Sequence, residues 1–228
     1  MIAGLLFPNL CPICTRELCQ DSHALCEDCS AKLVPLPRPR CPRCGGTLDG
    51  VTTACAECLS LPERPWDHAV SAFPYRGPVR EVIHQIKYSG RPHALRHVGR
   101  ALAESWLEHG NGDVEAVVPV PLHWTRQLRR GYNQAALLAG VVGHALDRPV
   151  RSLLVRSRVT HQQARLRLEE RRTNTEGVFR AKRRAKTAGG RILLVDDVFT
   201  TGATLAAATV ALRAAGANQI SVATIARG

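Results

Sequence analysis

Two adjacent carboxylates followed by a small, hydroxyl-rich segment form the most distinctive chemical pattern in the chain. The acids are Asp196 and Asp197, and the segment after them contains Thr200, Thr201, Gly202, Ala203 and Thr204. Backbone N–H groups at a turn that opens a helix bind anions such as phosphate, and threonine hydroxyls add donors. The carboxylates cannot hold a phosphate, but they accept hydrogen bonds from a vicinal diol or hold magnesium through water. A diol beside a phosphate indicates a ribose 5-phosphate ligand.

A strand before these residues and a helix after them must position them. Residues 192–195 are a short apolar run typical of a buried parallel strand, which would leave the two acids exposed at its carboxyl end. Residues 205–215 are rich in alanine and leucine and predict a helix that ends at Gly216. This order of strand, turn and helix brings the acids and the anion-binding turn together.

The segment resembles the phosphoribosyl-pyrophosphate (PRPP) signature of the type I phosphoribosyltransferases. Four apolar residues, two acids, two apolar residues and Thr-Thr-Gly-x-Thr follow one another at residues 192–204, and every position matches. The resemblance implies an α/β fold of the type I phosphoribosyltransferase kind, with a mainly parallel sheet flanked by helices. It also implies that the two acids contact the ribose hydroxyls, that residues 200–204 surround the 5-phosphate, and that magnesium binds with PRPP.

Eight of the nine cysteines form four Cys-x-x-Cys pairs, with eleven, eleven and ten residues between successive pairs. Each pair places two thiolates on one side of a tight turn, which is half of a tetrahedral zinc site. Disulfides would need a secretory context, and redox Cys-x-x-Cys motifs usually occur singly. We therefore expect two structural zinc sites, with the eight ligands Cys11, Cys14, Cys26, Cys29, Cys41, Cys44, Cys55 and Cys58. The ninth cysteine, Cys19, is interpreted as a free thiol.

Two pairings of these cysteines are open. In the serial form, neighbouring pairs share a zinc ion, whereas in the cross-braced form the first pair joins the third. A proline-rich break at residues 35–39 separates the second pair from the third and favours the serial form, two zinc ribbons in succession. The segment contains few large apolar residues, so metal binding must supply much of its folding free energy.

The composition changes near residues 62–65, which predicts a double zinc-ribbon module at residues 1–62 and an α/β domain at residues 63–228. In the second part, apolar runs alternate with helical stretches, as in parallel α/β folds. The predicted strands are residues 69–75, 116–120, 192–195 and 219–225. The predicted helices are residues 79–87, 95–107, 134–146 and 205–215, and Leu107 is expected to face inward with Leu95, Val98 and Leu102.

A second anion-binding arrangement follows the predicted strand at residues 116–120. Pro121, Arg126, Arg130 and Gly131 lie between this strand and the next helix, and the planar guanidinium of arginine binds phosphate oxygens in pairs. The position of this segment matches the pyrophosphate loop of the phosphoribosyltransferases.

The resemblance narrows with the motifs around this loop. Val-Pro-Val-Pro at residues 118–121 and Arg-Gly-Tyr-Asn-Gln at residues 130–134, behind a cysteine module, are similar to the ComF (GntX-type) family of competence-associated phosphoribosyltransferase-like proteins. Lys87-Tyr88-Ser89-Gly90 fits the same pattern, and for Lys87 a cationic helix end and a role in the site are both open. The resemblance implies a flexible loop over PRPP at about residues 156–180, with the members Gln163, Arg171, Arg172 and Asn174. An ordinary basic helix and hairpin is the alternative for this segment.

The chain of 228 residues carries a net charge of +12, and the whole excess lies in one region. Residues 123–186 contain sixteen Lys or Arg and four Asp or Glu, whereas the rest of the chain contains fifteen of each. A local basic field suits a pyrophosphate-bearing ligand and also suits nucleic acid. Charge alone does not separate these two interpretations.

Together these features favour a protein that binds PRPP with magnesium and transfers phosphoribosyl to an acceptor, with loss of pyrophosphate. The ComF resemblance implies a role in DNA uptake. The alternative is a non-catalytic PRPP sensor that associates with single-stranded DNA or with a DNA-uptake helicase. The chain shows no secretory leader and no apolar run of spanning length, so we expect a cytoplasmic protein. Only three residues follow the last predicted strand, so we expect residues 66–110 or the zinc module to contact the acceptor, whose identity stays open.

Overall fold

The computed structural model describes residues 10–11, 13–18, 25–88, 94–156, 177–182 and 190–228. The helices of these ranges are α1 (Glu27–Ser30), α2 (Ala56–Leu59), α3 (Gly77–Tyr88), α4 (Ala94–His109), α5 (Trp124–Arg130), α6 (Gln134–Ala145) and α7 (Ala203–Ala214). The strands are β1 (His68–Pro74), β2 (Ala116–Pro119), β3 (Leu154–Arg156), β4 (Phe179–Ala181), β5 (Arg191–Phe199) and β6 (Gln219–Arg227).

Four parallel strands form the central sheet in the order β1-β6-β5-β2, and β3 and β4 form a separate antiparallel hairpin. In the middle of the sheet, Val195 of β5 pairs with Pro119 of β2 on one side and with Ala223 of β6 on the other. Residues 192–195 are buried because helices cover both faces of the sheet. Since parallel strands end at the same edge, the loops that follow β2 and β5 lie side by side.

Each face of the sheet packs against its own helices. On one face, α4 and α6 bury apolar side chains that include Leu102 and Leu138. On the other face, α7 buries Leu205 and Leu212. The predicted α/β architecture, a parallel sheet flanked by helices, is confirmed.

The cysteine-rich module packs along β1, the edge strand of the sheet. The backbone N–H of Leu36 donates to the carbonyl of Ala72 (2.9 Å), and that of Ala69 donates to the carbonyl of Pro42 (2.8 Å). These bonds use the free side of β1, which would otherwise offer unpaired backbone groups to other chains. The first cysteine group packs into the core that contains α4, and the second packs into the core that contains α7. The two ribbons therefore lie on opposite faces of the sheet edge.

All eight elements predicted for the α/β domain are present. The sequence does not predict α5, and it offers a hairpin near β3 and β4 only as the alternative for about residues 156–180. The inward orientation of Leu107 is wrong: the residue is 72% exposed, and the neighbouring Trp106 is buried in its place. The predicted loop residues Gln163, Arg171, Arg172 and Asn174 lie outside the described ranges, as does Cys19. The domain boundary near residue 62 stays a prediction. Within the described ranges, every helix is too short or too polar to cross a membrane.

Candidate functional site

Asp196 and Asp197 lie within β5 rather than after it, which corrects the predicted end of this strand. β5 continues to Phe199, and Asp196 pairs with Thr224 of β6. On the other side β2 has already ended, because its last residue, Pro119, pairs with Val195. Asp197 is only 6% exposed, so the expectation of an exposed acid pair is wrong. Both acids therefore lie beyond the last residue of β2 that pairs with β5.

Asp197 is held by two side chains from other elements. Lys87 Nζ, at the end of α3, lies 3.0 Å from Asp197 Oδ2, and Gln134 Nε2, at the start of α6, donates to the same oxygen at 3.0 Å. Lys87 therefore belongs to the site, which decides between its two sequence interpretations. Gln134 is not predicted as a site residue, although it is the last residue of the Arg-Gly-Tyr-Asn-Gln motif at residues 130–134, which could have identified it.

The two acids differ in their electrostatics. Burial, and after it the neighbouring Asp197 carboxylate, raise the pKa of Asp196 to about 7, although a hydrogen bond from the Asp197 N–H and the charges of Lys87 and Arg156 oppose the shift. Burial lowers the pKa of Lys87, but the carboxylates of Asp197 and Asp196 outweigh it and hold that pKa above its ordinary value. Lys87 therefore stays cationic, and Asp196 is the group of this cluster that titrates near neutral pH.

The segment of residues 200–204, called the phosphate loop here, joins β5 to α7. Gly202 is the N-cap of α7 and has φ 78°, a left-handed conformation that favours glycine. A Cβ on Gly202 would lie 2.9 Å from Phe199, 3.0 Å from Trp66 and 3.1 Å from Arg64. Thr201 Oγ1 accepts a hydrogen bond from the N–H of Ala203, and Thr200 is exposed. The loop thus presents the first turn of a helix, whose N–H groups lack intrahelical partners.

Two arginines that sequence analysis does not predict support the phosphate loop. Arg64 Nη1 donates to the carbonyl of Thr201 at 2.9 Å, and Arg227 Nη1 donates to the carbonyl of Thr200 at 3.2 Å. Arg64 lies between the cysteine module and β1, and Arg227 is the last residue of β6. No motif marks either residue, because Arg64 reaches the loop through the packing of the module, and Arg227 reaches it through the pairing of β6 with β5, where it lies opposite Phe199.

The predicted pyrophosphate segment contains the helix α5 in place of a simple turn. Pro121 follows β2, Arg126 and Arg130 lie on α5, and Gly131 ends it in a left-handed conformation (φ 82°). Arg130 donates a hydrogen bond to Gln134, the residue that contacts Asp197. The structure therefore connects Arg130 to the acid pair through one side chain.

The ends of the predicted flexible loop are the strands β3 and β4. Arg156, the last residue of β3, stacks over Phe179 of β4 at 5.3 Å. Burial lowers the pKa of Arg156, Arg126 lowers it further, and Asp196 raises it. Arg156 therefore lies within electrostatic range of Arg126 and of Asp196.

The eight paired cysteines form two groups with serial pairing, as the proline-rich break indicates. The first zinc site consists of Cys11, Cys14, Cys26 and Cys29, and the second zinc site consists of Cys41, Cys44, Cys55 and Cys58. Within each group all sulfur atoms lie within 4.8 Å of one another, and the sulfur atoms of Cys14 and Cys26, like those of Cys44 and Cys55, are 3.6 Å apart. A tetrahedral zinc ion with Zn–S distances of about 2.3 Å holds its sulfur atoms about 3.8 Å apart. Both groups therefore fit zinc.

The first zinc site shows one thiol prepared for metal binding. Burial raises the pKa of Cys11, but hydrogen bonds from the backbone N–H groups of Cys26 and Cys14 outweigh it and bring that pKa to about 6. A thiolate is the form that binds zinc, so these backbone donors favour the ligand state of Cys11.

The sheet, the acid pair, the phosphate loop and the two cysteine groups define the class of protein, a phosphoribosyl transferase domain preceded by a double zinc ribbon. Residues 2–59 match the double zinc ribbon domain, and residues 92–228 match the phosphoribosyl transferase domain. The chain is 33% identical to competence protein F of Haemophilus influenzae over 223 residues, and the aligned part covers 95% of this chain and 96% of that protein. The chain belongs to the ComF family of phosphoribosyl transferase domain proteins.

Two further relatives are similar over most of the chain. The DNA utilization protein YhgH of Escherichia coli K12 is 31% identical over 96% of both chains. Competence protein ComFC of Bacillus subtilis is 28% identical over 89% of this chain and 88% of that protein. Among solved structures, an allosteric regulatory enzyme of purine biosynthesis matches with a TM-score of 0.43 and 19% identity, over 63% of this chain and 30% of that chain.

Proposed function

We propose that the chain binds PRPP together with magnesium where β2 and β5 end, and transfers the phosphoribosyl group to an acceptor. One observation carries the proposal: an acid pair, of which Asp197 is buried and contacted by Lys87 and Gln134, lies two residues before a loop that opens a helix. The acids suit a ribose diol, and the helix start suits a phosphate. A ribose 5-phosphate unit presents both groups.

The contacts of the acid pair leave oxygens for a diol. Lys87 and Gln134 both contact Oδ2 of Asp197, so the proposal assigns Oδ1 of this residue to one ribose hydroxyl. Asp196 Oδ1 accepts the N–H of Asp197 at 2.8 Å, so the proposal assigns its Oδ2 to the other hydroxyl. Carboxylate oxygens are also the ligands that magnesium prefers, directly or through water. Bound magnesium would supply neutralisation of the pyrophosphate charge.

The reaction asks for positioning and charge stabilisation and little covalent chemistry from the protein. A nitrogen nucleophile forms a bond to C1 of the ribose while the bond from C1 to the pyrophosphate oxygen breaks, and pyrophosphate leaves with the electron pair. Arg126 and Arg130 on α5 are placed to stabilise that leaving charge. The hairpin base at Arg156 lies on the same side, where a loop over the ligand would exclude water.

Calorimetric titration with PRPP in the presence of magnesium tests the proposal. The parent chain should bind, and Arg130→Ala should lose about 1.5–3 kcal/mol of binding free energy, the usual loss for a hydrogen bond to a charged group. Arg129→Ala is the matched control, because Arg129 is the exposed neighbour on the same helix. A parent chain that does not bind PRPP contradicts the proposal, and so does an equal effect of the two variants.

A second candidate function, association with single-stranded DNA in the cytoplasm, is favoured by exposed aromatic residues beside arginines. α5 buries none of its residues, and its Trp124 and Leu128 are 64% and 74% exposed. Tyr88 is 61% exposed and lies under the guanidinium of Arg130 at 5.6 Å. Aromatic rings beside arginines are the usual platform for unpaired bases. The names of the relatives, competence and DNA utilization proteins, agree with such a role in DNA uptake. A DNA-uptake helicase is the protein partner that this role would involve.

Fluorescence anisotropy with a labelled single-stranded oligonucleotide at two salt concentrations tests this candidate. Removing a stacking ring costs about 1–3 kcal/mol per base, so Trp124→Ala should weaken DNA binding while PRPP affinity stays the same. Val210→Ala is the control, because Val210 is 57% exposed on α7, outside this basic segment. Unchanged DNA affinity in Trp124→Ala rejects the α5 surface as a DNA platform.

A further inference from the structure

Arg64 and Arg227 control the direction of the donors in the phosphate loop. Their guanidinium groups accept no bonds; they donate to the carbonyls of Thr201 and Thr200. In a trans peptide, the carbonyl and the following N–H point in opposite directions. Fixing these two carbonyls therefore aims the N–H groups of Thr201 and Gly202 away from the arginines, as a bound phosphate requires.

Aromatic rings hold both arginines in place behind the loop. The guanidinium of Arg227 lies 4.8 Å from the ring centre of Phe199, and that of Arg64 lies 5.6 Å from the same ring. Trp66 meets Phe199 edge-on at 5.7 Å. Such stacked cations lose little freedom when they form hydrogen bonds. The loop therefore rests on a rigid layer.

Arg227 also contacts the second zinc site. Its side chain is only 9% exposed and pairs with Glu57 of α2. A Cβ on Gly46 would lie 3.4 Å from the sulfur of Cys44 and 3.5 Å from Cγ of Arg227, so the stem of the arginine lies beside this zinc ligand. The same residue thus pairs with the helix that carries one ligand inside it and another at its N-cap, and donates to the carbonyl of Thr200. Groups packed around a metal site orient its ligands, so Arg227 can serve both sites.

A parallel connection runs through Arg43, which lies between Cys41 and Cys44. Arg43 Nη1 donates to the carbonyl of Cys58 at 2.6 Å, and the carbonyl of Arg43 accepts the indole N–H of Trp66 at 3.0 Å. Trp66 in turn lies 3.0 Å from the position that a Cβ on Gly202 would occupy. The second ribbon is therefore connected to the phosphate loop through two residues, Arg227 and Trp66.

We propose that zinc at the second zinc site and PRPP bind cooperatively, with Arg227 as the positioning residue that links them. This inference rests on the proposed PRPP binding. Zinc ribbons depend on their metal for folding, so loss of zinc would free Glu57 from Arg227 and loosen the bond of Arg227 to Thr200. Coupling is reciprocal, so bound PRPP should slow the loss of zinc from the second zinc site.

The first ribbon supplies a matched control within the same chain. Its Arg16 pairs with Asp28 of α1 at 2.6 Å, as Arg227 pairs with Glu57 of α2, but both partners belong to the first ribbon. Arg16→Met and Arg227→Met therefore each remove one ion pair with the short helix of a ribbon, although the pair of Arg16 is more exposed. Only the second change removes a contact with the phosphate loop.

The experiment measures zinc release to a chromogenic chelator and PRPP affinity by calorimetry, both on the full zinc-loaded chain. In the parent, PRPP should slow the release of one of two zinc ions. Arg227→Met should abolish this protection and weaken PRPP binding about tenfold, the equivalent of one hydrogen bond to a charged donor. Arg227→Lys keeps the positive charge but lacks the planar guanidinium with its several N–H donors, so it should retain part of the zinc protection and part of the PRPP affinity. Arg16→Met should keep the parent behaviour.

Two outcomes overturn the inference: PRPP protecting both zinc ions equally, or Arg227→Met behaving as Arg16→Met does. A parent chain that does not bind PRPP refutes the proposed function instead. In that case, amide hydrogen exchange still tests the link, because Arg227→Met should speed exchange in the phosphate loop and Arg16→Met should not. Equal exchange in the two variants rejects a role for Arg227 in positioning the loop.

Discussion

The ion pair between Lys87 and Asp197 makes the stability of the fold depend on the acid pair. Their side chains are 22% and 8% exposed, and Nζ lies 3.0 Å from Oδ2. Removing one partner of a fully buried pair costs about 3–5 kcal/mol, because the other charge stays behind uncompensated. Lys87 keeps some contact with solvent, and Asp197→Asn also relieves repulsion with Asp196. We therefore expect Asp197→Asn to lower the free energy of unfolding by about 2 kcal/mol.

A double-mutant cycle isolates this effect. Lys87→Met in the Asp197→Asn background removes the uncompensated cation, so the double variant should recover most of the loss. Urea unfolding followed by tryptophan fluorescence, in excess zinc at pH 8, gives the midpoints, which are comparable where the slope is unchanged. Asp113→Asn is the control, because its pair with Arg148 is 57% and 34% exposed and such surface pairs contribute about 0–1 kcal/mol.

Two results would contradict this prediction: an Asp197→Asn variant as stable as the parent, or a double variant whose loss in free energy of unfolding equals the sum of the two single losses. Either result would mean that Lys87 and Asp197 do not interact in solution. From the sequence alone, Asp197→Asn is expected to leave the free energy of unfolding unchanged, since an acid pair exposed at a strand end can be replaced without cost to folding.

Two further predictions concern pH and the phosphate loop. Burial and Asp197 raise the pKa of Asp196 to about 7, and a diol needs the ionised acceptor. PRPP affinity by calorimetry should therefore rise about tenfold from pH 6 to pH 8, and Asp196→Asn should lack this contribution. In the unfolded chain the Asp196 carboxyl titrates near pH 4, so protonated Asp196 stabilises the fold at low pH, and this contribution to the free energy of unfolding is lost as pH rises from about 4 to 7. Asp196→Asn should therefore be more stable than the parent above pH 7. Gly202→Ala, at φ 78° and 2.9 Å from Phe199, should lower the thermal midpoint and PRPP affinity, whereas Gly140→Ala in open space on α6 should raise stability by about 0.5–1 kcal/mol. Equal stability of the two glycine variants would mean that Gly202 is not packed as described.

Local sequence was sufficient for the cysteine pairs and for the order of strand, acids, loop and helix at residues 192–204. The four Cys-x-x-Cys pairs predict the zinc ligands, because two thiolates on one turn already have the geometry of half a site. Residues 192–204 predict the acid pair and the anion-binding loop, because strand, turn and helix follow one another directly. The serial pairing was open from geometry alone, and the proline-rich break at residues 35–39 indicated the arrangement that the structure shows.

Only the tertiary structure decided which distant residues complete the site. Lys87 and Gln134 reach Asp197 from two helices, and Arg64 and Arg227 reach the phosphate loop from the module junction and the last strand. These contacts join residues 27 to 137 positions apart, so no local pattern encodes them. They follow from the strand order β1-β6-β5-β2 and from the packing of the ribbons on β1. The same packing decides that Asp197 is buried, since exposure depends on what covers a strand and not on its residues alone.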